Sequence, residues 1–278
     1  MYQHTLLDGY QMPAVGFGTA GLRGIEDMRR IEQALSNGYR LLDTAYAYEN
    51  EGTIGQAIRN SSVARDQVTI QSKLPGRDHS YGKALRTIEE SIMRLGVDYI
   101  DVYLIHWPNP LMYRDNWKKA NTESWRAMEE ALEAGKIRTL GISNFMPHHL
   151  EALLETAKIK PTVNQILLNP SEMQPETVAA NNQHNILSEA YSPLGTGKIF
   201  EVEELDELAK KYNKTVPQVV LRWSLQHDFL PLPKTSTFER VAENADIFDF
   251  EITEEDMTMI DSLKGRAGHM ESPDEKTF

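Results

Sequence analysis

From residue 13 onward the chain alternates brief apolar runs with longer segments whose apolar positions recur every three or four residues. The runs are "PAVGFG", "YRLLDTA", "QVTIQSKL", "DYIDVYLIHW", "IRTLGISNF", "PTVNQILLN", "NILSEAYSP" and "FLPLPKT". Their length and their Val, Ile and Tyr content read as eight buried strands. Between them lie amphipathic stretches such as "MRRIEQALSNG", "GKALRTIEESIMRLG", "TESWRAMEEALEAG" and "PHHLEALLETA", several closed by a glycine at Gly38, Gly96 or Gly135. Glycine ends a helix by taking up the left-handed conformation there. Strand followed by helix, eight times over, predicts a parallel sheet. Ahead of the first run, "HTLLDGYQM" predicts a β-hairpin turning at Asp8-Gly9.

No Pro/Gly/Ser-rich linker and no shift in composition divides the chain, so a single domain over 1–278 is expected. Eight β/α units in about 250 residues match the (β/α)8 TIM barrel of the α/β class, whose chemistry sits at the C-terminal ends of the strands. Polar residues collect at those ends: Asp43, Lys73, His106, Ser143-Asn144, Gln165, Tyr191 and Lys234. A doubly wound sheet would leave that clustering unexplained. The stretch "GFGTAG" does spell G-x-G-x-x-G after an apolar run, with Asp43 near the spacing of a ribose-binding acid. In a dinucleotide-binding turn, however, the helix begins at once to hold the pyrophosphate, whereas "LRGIED" intervenes here. The first helix is expected after Asp27 as N-cap, with Met28, Ile31, Ala34 and Leu35 on its buried face, and the glycines belong to a strand-end loop. Gly18 is then placed to let the backbone pass close to a substrate.

Composition narrows the partners. The 278 residues are 40% hydrophobic, enough for a full core, and carry a formal charge of −12. Nucleic-acid binding needs a basic footprint, so it is not expected. There is no cysteine, which excludes thiolate catalysis, Cys-ligated zinc and disulfides. The start "MYQHTLLDGYQMP" lacks the basic and apolar regions of a signal peptide, and no run reaches the ~18 apolar residues of a membrane span. A soluble cytoplasmic protein with neither membrane nor obligate protein partner is the expectation.

The chemistry emerges at "GYRLLDTAYAYENEGTIG", read together with "SKL", "DVYLIHWPNP", "GISNF", "VNQI", "EAYSPLG" and "LPKTSTFERVAEN". In this order, spread over roughly residues 4 to 265, these resemble the aldo-keto reductase family, and most its compact bacterial branch of diketogluconate reductases. The resemblance implies a catalytic tetrad of Asp43, Tyr48, Lys73 and His106. Those residue types suit carbonyl reduction, which needs a hydride from a nicotinamide and a proton donor at the developing alkoxide. Tyr48 is the expected donor, Lys73 the ammonium that lowers its pKa, Asp43 the partner of Lys73, and His106 a hydrogen-bond donor to the carbonyl oxygen. Singly, each of the four is more commonly a cap, packing or solvated surface; jointly they fall at the ends of three successive strands that a barrel brings to one mouth.

For the cofactor, the resemblance implies that Tyr191 stacks on the nicotinamide, with Ser192 and Leu194 beside it, while Ser143, Asn144 and Gln165 bind its carboxamide. It also implies that Lys234, Thr235 and Arg240 receive the adenosine 2′-phosphate, and Glu243 and Asn244 the adenine, which favours NADPH/NADP+ over NADH. The bland alternative for the last group is a solvated loop before a helix following Ser236 or Thr237. Departures bear on the substrate. Relatives often carry an aromatic residue where Ala20 stands and Trp where Pro75 stands, while Trp107 retains one pocket aromatic, so Ala20, Pro75, His106 and Trp107 are the expected substrate wall. "LNPSE" replaces the usual His-Pro stretch, and the short tail "GHMESPDEKTF" predicts few substrate-selecting contacts. His148-His149 reads as ordinary surface opening a helix.

The leading function is thus NADPH-dependent reduction of aldehydes or ketones. A non-catalytic, nucleotide-sensing regulatory subunit on the same barrel is the alternative, to be told apart by NADPH consumption with a panel of carbonyl compounds. A metal-dependent hydrolase would want clustered His and carboxylate ligands, of which only His106 and Asp43 offer themselves, so no metal is expected.

Overall fold

A computed structural model of the chain describes residues 2–267 and 271–276. It contains the strands β1 (Gln3–Thr5), β2 (Gln11–Pro13), β3 (Phe17–Gly18), β4 (Leu41–Asp43), β5 (Thr69–Leu74), β6 (Ile100–Ile105), β7 (Ile137–Ser143), β8 (Val163–Leu167), β9 (Leu187–Tyr191) and β10 (Leu230–Leu232). β1 and β2 form the antiparallel hairpin, with Gly9 at φ +87° and the Tyr10 amide donating to Asp8 Oδ1 at 3.0 Å. The remaining eight run parallel, each beside its neighbour in the chain, and curl into a nearly closed barrel. Where β3 meets β10, Gly16 N donates to the Pro231 carbonyl at 3.1 Å and Gly18 N to that of Pro233 at 2.9 Å.

That seam explains the glycines of "GFGTAG". A Cβ on Gly16 would lie 2.5 Å from Leu232 Cδ2, and one on Gly18 would lie 3.0 Å from the Leu232 carbonyl oxygen. The glycines therefore let the first strand approach the last. No phosphate-binding helix opens on them.

The helices are α1 (Ile25–Ser36), α2 (Glu51–Asn60), α3 (Tyr81–Leu95), α4 (Trp117–Glu133), α5 (Pro147–Leu154), α6 (Pro175–Gln183), α7 (Glu203–Tyr212), α8 (Val216–Gln226), α9 (Phe238–Glu243) and α10 (Glu254–Asp261). Gly38, Gly96 and Gly135 have φ between +66° and +93°, as expected of helix stops. α1 departs from expectation by starting before Asp27, with Gly24 as its N-cap. Asp27 acts from inside the first turn: its Oδ2 accepts from the Arg23 amide at 2.6 Å and its Oδ1 pairs with Arg30 at 2.5 Å. α1 still buries Ile31, Ala34 and Leu35.

Apolar residues of the helices pack on the outside of the sheet in two large clusters. A third fills the barrel itself, where Leu6 and Met12 of the hairpin region pack with Leu41, Val102, Leu104, Val163, Leu230 and Leu232. The lower part of this plug, with Leu6, Met12, Leu41 and Val163, closes the end where the strands begin. The side chains two residues further along β4, β5, β8 and β9 point the same way, into the barrel, and they are polar.

Candidate active site

The polar layer above the plug is built around Asp43, at the end of β4. Its Oδ1 accepts from Lys73 Nζ at 2.6 Å, Gln71 Nε2 at 2.9 Å and Gln165 Nε2 at 2.9 Å. Lys73 has no exposed surface and also donates to the Thr44 carbonyl at 2.7 Å. Burial, the largest influence, pulls the Lys73 pKa down, but Asp43 together with Tyr48 and Glu189 outweighs it and the net displacement is upward, so Lys73 is a buried ammonium. The Lys73 Nζ stands 5.1 Å from the centroid of the Tyr48 ring.

Tyr48 is carried by a single 3-10 turn, residues Tyr46–Tyr48, ended by Glu49 at φ +56°. Arg23 holds this turn from outside, donating to the Tyr48 carbonyl at 3.0 Å and pairing with Glu49 at 3.2 Å. From inside, buried Asn50 accepts from Thr44 Oγ1 at 2.6 Å and donates to the carbonyls of Thr19 and Leu22, tying the turn to the β3 loop. The His106 ring meets the Tyr48 ring edge-on, with centroids 5.7 Å apart. Burial, then the charge of Lys73, holds the imidazole of His106 well below its ordinary pKa. It is therefore neutral and keeps one N–H to donate. The expectation that Lys73 depresses the Tyr48 pKa needs correcting: burial raises the phenol above its ordinary value, and Lys73 offsets this only in part. Tyr48 is a protonated phenol with a cation behind it.

Above this floor opens a cavity of about 520 Å3. Asp43, Tyr48 and His106 line its bottom. Ser143, Asn144, Gln165, Tyr191, Ser192 and Leu194 line one side. There Asn144, at φ +62°, donates from Nδ2 to the His106 carbonyl at 3.0 Å and accepts from the Tyr191 hydroxyl at 3.0 Å. Ser143 Oγ donates to the Gln165 carbonyl at 2.8 Å. Lys234, Thr235, Arg240 and Asn244 line the far end. Lys234 and Arg240 are exposed and make no ion pair among the described residues, while Asn244 Oδ1 is buried without a hydrogen-bond donor. α9 begins after Thr237, as its sequence suggests.

Two expected site residues stand elsewhere. Pro75 is buried beneath the turn that follows β5 and is not part of the cavity wall, which Ala20, His106 and Trp107 do join. Glu243 faces α8, its Oε1 accepting from Thr215 Oγ1 at 2.7 Å, and also lies outside the wall. Conversely, Thr196, Gly197 and Phe200 line the cavity although sequence reasoning passed over them. They lie on the loop after β9, where Phe200 is 43% exposed; an apolar ring in a turn-rich stretch was the available signal.

His148-His149 is not ordinary surface. His149 is fully buried, its Nε2 lies 3.0 Å from Asp274 Oδ1, and His148 Nε2 lies 3.1 Å from Asp274 Oδ2. The three side chains could be taken for a metal site. The Met146 amide, however, donates to His149 Nδ1 at 3.2 Å, which leaves the proton of the neutral ring on Nε2, facing Asp274. The cluster thus anchors the tail, and Asn109 Nδ2 adds a hydrogen bond to Asp274 at 2.8 Å. Of the tail, 268–270 and 277–278 lie outside the described residues; the rest reaches the site after all, with Lys276 Nζ 5.7 Å from the centroid of Trp107.

The match to known proteins is extensive. Residues 14–264 fit the model of the Aldo/keto reductase family. The chain is 43% identical to a glyoxal reductase of Bacillus subtilis, over 98% of this chain and 96% of that protein. It is 42% identical to a 2,5-diketo-D-gluconic acid reductase B of a Corynebacterium species, over 94% of this chain and 92% of the relative. An aldo-keto reductase of Bombyx mori solved in complex with NADP superimposes with a TM-score of 0.85 at 31% identity, covering 95% of this chain and 93% of the other.

Proposed function

Since the chain belongs to the aldo/keto reductase family, we propose that it is an NADPH-dependent reductase of aldehyde or ketone carbonyls, acting as one domain over 1–278 in the cytoplasm. The observation that carries this reading is the Tyr48 phenol at the cavity floor, with the Lys73 ammonium on one side and the neutral His106 ring on the other.

The residues present suit the cofactor. Lys234 and Arg240, without an ion pair among the described residues, suit a 2′-phosphate, and Asn244 Oδ1, buried without a donor among them, suits the amino group of an adenine. Tyr191 offers a ring face, and Gln165, whose Nε2 is engaged below, has its Oε1 left for the carboxamide. When bound, NADPH supplies the hydride that the carbonyl carbon takes up. The chain's own residues handle the oxygen. Tyr48 donates its proton to that oxygen, completing the alcohol, and the phenolate left behind is stabilised by Lys73, which Asp43 holds in place. His106 donates a second hydrogen bond to the same oxygen, orienting the carbonyl and stabilising its growing charge. Because burial keeps Tyr48 protonated, the acid is in its working form throughout the neutral range. Ala20, Trp107 and Phe200 line the pocket, and the similarity to a glyoxal reductase and a 2,5-diketogluconate reductase makes those two dicarbonyls the first substrates to try.

The test is NADPH oxidation, followed by absorbance, with a panel of dicarbonyls, aldehydes and ketones, repeated with NADH. Turnover with at least one class, preferring NADPH, is the expected result. A protein that binds NADPH tightly and oxidises it with none of them would instead be a nucleotide-sensing subunit.

A further inference from the structure

Beneath the tetrad lies a second buried carboxyl that the reaction does not use. Glu189, on β9, has no exposed surface, and Tyr191 two residues on faces the cavity. Its register partner on β8 is Gln165. Glu189 Oε2 accepts from Gln165 Nε2 at 3.0 Å and from Gln71 Nε2 at 2.7 Å. Each of these amide groups spends its other hydrogen on Asp43 Oδ1. The arrangement is costly. Burial pushes the Glu189 carboxyl up to about 7, and its Oε1 is buried without a donor. Leu41 and Val163, two residues before Asp43 and Gln165 on their strands, are apolar and buried, so packing alone would have been served by another apolar side chain.

What the carboxyl accomplishes follows from the donor count. The –NH2 of Gln165 has two hydrogens, and the two carboxyl groups take one each. With both committed downward, the amide of Gln165 cannot flip, and its Oε1 is presented to the cavity as an acceptor. We propose that Glu189 is a positioning residue for the cofactor site: with Asp43 it locks the Gln165 amide so that Oε1 faces the nicotinamide carboxamide. This rests on the proposed function, in which Gln165 meets that carboxamide.

The experiment is a double-mutant cycle between Glu189→Leu and Gln165→Leu, read as the Kd for NADPH and the Kd for adenosine 2′,5′-bisphosphate, which shares the phosphate end and lacks the nicotinamide. Glu189→Leu should weaken NADPH about three- to tenfold, the range of one hydrogen bond, and leave the bisphosphate unchanged. Added to Gln165→Leu it should weaken NADPH no further. Should the Leu variant fail to fold, Glu189→Ala asks the same question with less volume. An unchanged NADPH Kd, an equal loss for both ligands, or a full additional loss in the Gln165→Leu background would each overturn the proposal. If Gln165→Leu by itself left NADPH binding intact, the reading of the cofactor site would fail too, and that result is distinct from a Glu189 variant that is silent while Gln165→Leu is not.

Discussion

At the floor of the cavity the Lys73 charge is buried and paired, with Asp43 2.6 Å away, whereas at the rim Lys234 and Arg240 stand exposed with no ion pair among the described residues. In the proposed function the two ends have different tasks. A group that must stabilise charge during a reaction has to be aimed beforehand, in a site from which water is excluded, and the fold bears the desolvation cost. A cation that waits for a phosphate does better in solvent, where it costs nothing until the ligand arrives. Substitutions at the floor should therefore cost stability as well as rate, and substitutions at the rim should cost affinity only.

The sharpest way to break this contrast is Lys73→Met. It strands the Asp43 carboxylate in the barrel, and losing one partner of a buried pair costs about 3–5 kcal/mol. Urea unfolding should show that loss together with the loss of reductase activity. An unchanged midpoint would mean that the pair does not hold the floor together. Tyr48→Phe separates chemistry from structure: reduction should fall by a factor on the order of 10² or more while NADPH binds nearly as before. Near-normal turnover on several substrates would remove Tyr48 from the role of acid.

At the rim, Arg240→Ala should leave the unfolding midpoint alone and weaken NADPH about 10- to 100-fold, with NADH almost unaffected. Added salt should weaken NADPH more in the parent protein than in the variant. Equal losses for both cofactors would mean that Arg240 supports its loop. The effect that is smallest at neutral pH concerns His79, a buried neighbour of the floor whose ring stacks on Tyr113 and whose two nitrogens have no hydrogen-bond partner among the described residues. Burial holds it down to about 3, from an ordinary 6.5. Below 6.5 the unfolded chain takes up a proton that the folded protein refuses, so stability falls as the pH drops from 6.5 towards 3, by about 1.4 kcal/mol for each pH unit. His79→Leu should remove that share of the acid sensitivity, seen as a flatter plot of Tm against pH; parallel plots would show that His79 does not titrate on unfolding.

The floor and the rim were not equally legible in the sequence. Local signals sufficed for the strand and helix alternation, the Asp8-Gly9 hairpin, the helix-ending glycines and the polar residues at strand ends, since each depends on a few neighbouring residues. At the rim, the gathering of Lys234, Thr235, Arg240 and Asn244 could be read because it is one short stretch, but the turning of Glu243 towards α8 could not. The start of α1 was misread because Asp27 caps Arg23 from within the helix rather than from its end.

Contacts across the barrel were another matter. Gln165 and Asp43 are 122 residues apart, and Gln71 and Glu189 are 118 apart. Only closure of the sheet at Gly16 and Gly18 brings them within hydrogen-bond reach. The burial that raises the Tyr48 pKa, the tail that covers His149 and the packing that takes Pro75 out of the cavity wall are likewise consequences of what lies on top of a residue. The sequence by itself determined which backbone segments form and which residue types end each strand, because propensity and periodicity act over a handful of positions. The tertiary structure alone decided which of those residues are desolvated and which meet, because solvent exclusion and hydrogen bonding between distant strands exist only once the barrel has closed.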